Sequence, residues 1–175
     1  MMINWSKLLH QVIDLEWAID DHKELLLGPE ARQQTIFVAL DVELAKFAES
    51  IDWFDVLTKK KIDHEEVVNR YLRVLELFLL YSAKKQWTHL IVMDEKQWQL
   101  IQRPDKTDKL VELNKQYLAI KHFLGDAYYE HRQESFRHAW HLIVKWGLVD
   151  LQLSPDEVTA GYQSLIESEH AKWAE

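Results

Sequence analysis

The chain of 175 residues contains no cysteine, only four glycines and only three prolines. Without cysteine there can be no disulfide framework, thiolate zinc site, iron–sulfur cluster or thiol nucleophile. The glycines, Gly28, Gly125, Gly147 and Gly161, each stand alone. No glycine-rich phosphate loop can be written, which excludes P-loop and Rossmann chemistry. Sandwiches and barrels need many turn residues with positive φ, and this composition does not supply them. Long apolar runs are lacking too: Leu75 to Tyr81 is the longest, is interrupted by Glu76, and is far too short to span a bilayer. Basic character is also scarce. The net charge is −8 and Lys59-Lys60-Lys61 is the one basic run, so nucleic acid and anionic membranes are poor candidate partners. That run is expected near a helix end, where cations suit the carbonyl dipole. The opening Met1-Met2-Ile3-Asn4-Trp5 has no basic region of the kind that begins a signal peptide. The expectation is a cytoplasmic, all-α, single-domain helical bundle.

What is present is helical periodicity broken by a few strong signals. Leu8, Val12, Leu15 and Ile19 form one face of a first helix expected over Trp5 to Leu27. Gly28-Pro29 closes it and opens a second, from about Glu30 to Leu57, whose inward face is Phe37, Leu40, Leu44, Phe47 and Ile51. Asp63 reads as the N-cap of a third helix, His64 to about Lys85, with Val68, Tyr71, Leu72, Leu75, Phe78 and Leu79 along it. Residues 88–93 have β-like content, but a lone short strand has no partner, so helix or connection is expected. Pro104 marks a break. Helices then follow over Asp108 to Leu124 and Asp126 to Trp146, with Gly125 between them and Gly147 closing the second. Ser154-Pro155-Asp156-Glu157 opens the last. The count is six. Trp17, Trp140 and Trp146 fall on inward positions and are expected in the core.

Helical bundles build metal sites from carboxylates on facing helices, which directs attention to the second and third. The second offers Glu43 beside the apolar stripe, followed by Lys46, Glu49, Ser50 and Asp52. The third offers Glu65, Glu66, Asn69 and Glu76. A spacing of three puts Glu43 with Lys46, and Glu66 with Asn69, on shared faces. The plainer reading of the same residues is local. Glu66 follows Asp63 by three and could complete a capping box, while Glu43–Lys46 and Glu66–Arg70 could be ordinary helical ion pairs.

The segment Val42 to Thr58, VELAKFAESIDWFDVLT, resembles the all-α dUTP pyrophosphatases, the dimeric dUTPases related to MazG. It aligns without a gap to that family's VELGELANExxxFKYWS. His64 to Asn69 with the following YLRVLELFLL is similar to its LEExVDxLHFLL, and Leu15 to Ile19 echoes its LDExI. Ser154 to Trp173 has the length of its last helix, with Tyr162 at the start of the aYxxK segment. The resemblance implies magnesium held by an ExxE and an ExxD, hydrolysis of dUTP to dUMP and pyrophosphate, and a homodimer. Carried over by position, Glu43 and Glu66 keep two of the four metal carboxylates, while Lys46 and Asn69 replace the others. The family's next Asn and Glu become Glu49 and Ser50, and its phosphate-contacting Lys becomes Asp55. In the last helix Leu165, Glu169, Lys172 and Trp173 occupy the basic and amide positions, and only Lys172 keeps a matching charge. An ammonium at 46 would put a positive charge where the metal stood and could neutralise Glu43 and Glu66 without an ion, and Asp55 would repel a triphosphate. The expectation is therefore a magnesium-dependent pyrophosphohydrolase pattern with its metal site dismantled or rebuilt. The alternative is a non-catalytic binding or dimerisation protein that keeps the fold. A separate cluster, Glu134, His138 and His141 with His131 alongside, falls within about 60° on one helix at 100° per residue. That spacing could bind zinc, although Glu130, Arg137 and Lys145 on the same arc also suit a solvated face.

Overall fold

The computed structural model describes residues 1–23 and 26–174, and several of its helices begin where the chain supplies a side-chain cap or a proline. The α-helices are α1 (Trp5–Lys23), α2 (Pro29–Ile51), α3 (His64–Lys85), α4 (Glu95–Gln102), α5 (Leu110–Tyr129), α6 (Gln133–Lys145) and α7 (Pro155–Trp173). No strand occurs among the described residues. Gly28 is extended before Pro29 at the head of α2. The Asp63 carboxylate accepts from the Glu65 amide at 3.0 Å and caps α3. Ser154 and Glu157 cap α7 reciprocally, at 3.1 and 2.7 Å.

Four boundaries differ from the sequence-based expectation. The expected first helix runs past Lys23 over Glu24 and Leu25, which lie outside the described residues, and Leu26 and Leu27 are not helical. Helix α2 stops at Ile51, six residues before Leu57, because Asp52 turns left-handed at φ 60° and returns its amide to the Ala48 carbonyl. Gly125 does not divide two helices. It lies inside α5, where an ideal Cβ would meet nothing within 4 Å. Gly147 does not end a helix either: it sits in the π-helical turn Trp146–Asp150 that extends α6. The seventh helix, α4, is an addition, started by Asp94 and Gln97 in a capping box within a region without a proline or glycine stop signal. The β-like residues before it form a single 3₁₀ turn, Thr88–Leu90.

Helix α3 is the centre of the molecule and packs against α1, α2 and α7, while α5 and α6 form an antiparallel pair joined to α4. The core is one continuous cluster running through all of them. Trp140 and Trp146 are fully buried as expected, but Trp17 is 69% exposed on the outer side of α1. Its neighbours Leu15 and Glu16 take the inward positions instead. Between α3 and α6 the filling is aromatic: Phe78 stands 5.7 Å from Phe136 and 5.6 Å from Trp140, centroid to centroid. The Tyr71 hydroxyl donates to the Ile143 carbonyl at 3.0 Å, and burial pushes its pKa up. Gly147 permits this approach, since a Cβ there would sit 2.1 Å from the Tyr71 hydroxyl.

Candidate functional site

The first three helices and α7 bring the candidate residues to one side of the molecule. Glu43 is buried on α2 and faces three cations. Lys46 Nζ lies 3.3 Å from Oε1, Arg70 Nη1 is 3.6 Å from Oε2, and Arg73 Nε is 3.9 Å from Oε1. The α2 helix supplies Lys46 one turn along, and α3 supplies the two arginines three residues apart, so both come from the ordinary i, i+3 geometry of facing helices. Arg73 continues the network to α7, donating to Glu169 Oε1 at 3.0 Å, and Lys172 donates to the same oxygen at 3.1 Å. Lys172 is thus the partner of an acid beside it on its own helix.

Glu66 and Asn69 are exposed and line an open polar hollow with Asp63, Arg70 and Arg73. Glu66 forms neither the expected box with Asp63 nor an ion pair with Arg70: the cap of Asp63 goes to the Glu65 amide, and Arg70 turns to Glu43. Two arginines therefore stand on the side of Glu43 toward this hollow. Glu49 is exposed, while Ser50 is buried and donates to the Phe47 carbonyl of its own helix at 2.6 Å. Asp55 lies beyond the end of α2 and holds the following turn, accepting from the Leu57 and Thr58 amides at 2.9 and 3.0 Å and from the Thr58 hydroxyl. The Thr58 hydroxyl and these amides favour its charged form and lower its pKa. The lysine run follows as expected: Lys60 Nζ donates to the Glu49 carbonyl, in the last turn of α2, at 3.4 Å.

Magnesium prefers several oxygen ligands in near-octahedral geometry. The Glu43 Oε2 atom is shut off from solvent and accepts no hydrogen bond, but the groups nearest it are a guanidinium and, across the carboxylate, an ammonium and a second guanidinium. Such surroundings neutralise the carboxylate and repel a divalent cation, so the donor set does not fit magnesium. The described residues hold no group of three or more His, Asp or Glu side chains placed to share a metal ion. The α6 cluster divides in the same way. Glu134 accepts from Arg137 at 2.6 Å, and the His138 ring lies on Phe123 with centroids 5.2 Å apart. Burial, with Arg137 nearby, lowers the pKa of His141.

Sequence reasoning named Glu76 only as one of the third helix's carboxylates and did not single out Arg73. Glu76 is buried on α3 one turn after Leu72 and beside Leu75 and Leu79, all inward-facing. That placement is a readable signal, because a carboxylate within the apolar stripe of a core helix is rarely tolerated without a reason. Burial pushes its pKa up to about 7, against the opposing pull of Arg73. Arg73 Nη1 stands 3.7 Å from its Oε2. Glu76 opens onto a cavity of about 240 Å³ between α1, α2, α3 and α7. At the far side of that cavity Arg32 donates to Asp20 at 2.6 Å and to Glu16 at 3.0 Å, which raises its pKa, and Lys84 pairs with Glu16 at 2.6 Å.

No helix among the described residues is long and apolar enough to cross a membrane. No family model, curated protein or solved structure matches the chain.

Proposed function

We propose that this chain is a non-catalytic, homodimeric helical protein, dUTPase-like in pattern, rather than a working metal-dependent pyrophosphohydrolase. The observation that carries the proposal is the neutralisation of Glu43 by Lys46, Arg70 and Arg73. Hydrolysis of a phosphoanhydride through metal ions requires carboxylates free to hold them and a charge pattern that draws the triphosphate in. Here one carboxylate is occupied by protein cations, Glu66 lies in an exposed hollow lined by the same two arginines, and Asp55 is committed to a turn.

The dimer reading is supported by the outer side of α2 and α5 and the turn that follows α2. Val38, Val42, Phe54 and Leu118 are 56%, 44%, 47% and 65% exposed, more apolar surface than a helix pair facing water requires. Asp41 and Lys121 pair within this face and link α2 to α5. A face that carries both apolar side chains and its own internally matched charges suits a self-complementary, two-fold contact.

Thermal shift with magnesium or manganese and a non-hydrolysable dUTP analogue tests the catalytic half. The melting temperature should not move with the metal–nucleotide pair, and a saturable, metal-dependent rise would contradict the proposal. Sedimentation equilibrium tests the assembly. The wild type should be a dimer and the V38E/L118E variant a folded monomer by circular dichroism. A monomeric wild type at micromolar concentration would remove the dimer reading.

A further inference from the structure

We propose that the cavity between α1, α2, α3 and α7 binds a small apolar molecule carrying a protonated amine or amidine, whose N–H groups donate to the Glu76 carboxylate. This inference rests on the cavity and not on the dUTPase-like reading. The walls are mostly aliphatic, with Val12, Leu15 and Ile19 from α1, Ile36 from α2, and Leu77 and Leu80 from α3. A pocket of this kind takes its affinity from apolar contact and its orientation from a few convergent polar groups.

The polar groups are not equivalent. Arg32 already donates to Asp20 and Glu16, and Arg73 to Glu169, at 2.6 to 3.0 Å. These guanidiniums are committed, and so are the carboxylates that hold them. Glu76 is the exception: it is only 7% exposed, accepts no hydrogen bond from any described residue, and has Arg73 at 3.7 Å, beyond hydrogen-bonding reach. A carboxylate this buried, with no protein donor and only the opening to the cavity to solvate it, is costly. A ligand ammonium or amidinium would supply them, and its hydrocarbon body would fill the aliphatic remainder. An anionic ligand would instead add charge beside Glu76 with no uncommitted donor to meet it.

The electrostatics agree. Glu76 is faced by Arg73 on its own helix, by Glu43 from α2, and by Glu169 and Lys172 from α7, with Glu16 and Asp20 of α1 and Arg32 of α2 across the cavity. Together they leave its pKa raised to about 7. A cationic ligand binds the ionised form, so affinity should rise between about pH 6 and about pH 8 and the raised pKa should fall on binding.

The test is a titration of the full chain followed by ¹H–¹⁵N correlation spectra, with benzylamine and cyclohexylamine as probes and benzyl alcohol and benzoate as neutral and anionic controls. Saturable shifts confined to residues around Glu76, seen with the amines and not with the controls, are expected. The E76Q variant, checked for folding by circular dichroism, should lose affinity at least about tenfold and lose the pH dependence. The I19W variant, which fills the cavity and leaves Glu76 in place, should also abolish binding. Amines that do not bind, neutral and charged probes that bind alike, or E76Q with unchanged affinity would each overturn the proposal.

Discussion

Two faces of α3 are filled on opposite principles. Toward α6 its neighbours are Phe136 and Trp140, both without exposure, and Tyr71 fits so closely against the turn after α6 that Gly147 has no room for a methyl group. Toward α1, α2 and α7 the same helix presents Arg70, Arg73 and Glu76 to other charged groups, around a cavity. The first face is stabilised by close-packed aromatic surface that leaves water. The second face combines the apolar packing of α3 on α1, α2 and α7 with buried charge, and the charge contributes little net stability even when paired.

Substitutions on the two faces should separate them. The largest loss is expected for W140A on the aromatic face, about 3–5 kcal/mol by denaturant unfolding, because Trp140 is fully buried and its indole donates to the Ile91 carbonyl at 3.1 Å. A smaller drop would mean the seam can collapse and is not the anchor of the fold. On the charged face the expected signature is a pH dependence. Glu76 has a folded pKa near 7 and an ordinary value of 4.5, so the native state holds the proton more tightly than the unfolded chain. Its burial penalty is absent below about pH 4.5 and develops as pH rises to about 7, reaching on the order of 3 kcal/mol. The E76Q variant should match the wild type in acid and be the more stable protein at pH 8, as measured by unfolding across that range. Equal pH slopes for both proteins would show that Glu76 is solvated.

Next in size is G147A, expected to cost about 1–3 kcal/mol through forced displacement of Tyr71. Loss of the bond from its hydroxyl to the Ile143 carbonyl should accompany it. Combining G147A with Y71F should recover little of that loss, because the added Cβ would overlap the ring carbons of Tyr71 as well as its hydroxyl. The smallest effect is a gain: G125A should add about 0.5–1 kcal/mol, since this glycine lies in the interior of α5 with open space around its Cα. A destabilised G125A would mean that α5 needs the backbone freedom the glycine gives.

The contrast between the faces also explains what could be read from the sequence. Periodicity and caps located α1, α2, α3 and α7 because Leu8-Val12-Leu15, Gly28-Pro29, Asp63 and Ser154-Pro155 carry local signals that tertiary contacts reinforce. Glycine was the misleading signal. Gly125 and Gly147 read as breaks, yet neither has a positive φ: one is simply carried within a helix and the other makes room for Tyr71. The short α4 was missed because its cap uses Asp94 and Gln97, without glycine or proline. At the candidate site, the i, i+3 spacing showed Glu43 with Lys46 but not the two arginines of α3, whose approach depends on how α2 and α3 cross. Glu76 was visible as an interruption of an apolar run, but only the cavity beside it gives that interruption a meaning.

The central claim is that the cations around Glu43 have displaced metal-dependent chemistry. The most direct test is pyrophosphate release from dUTP and the common nucleoside triphosphates by the purified chain, with magnesium and with manganese. The account predicts release indistinguishable from that of a sample without protein. Metal-dependent production of dUMP and pyrophosphate at ordinary enzymatic rates, abolished by E43Q, would contradict it.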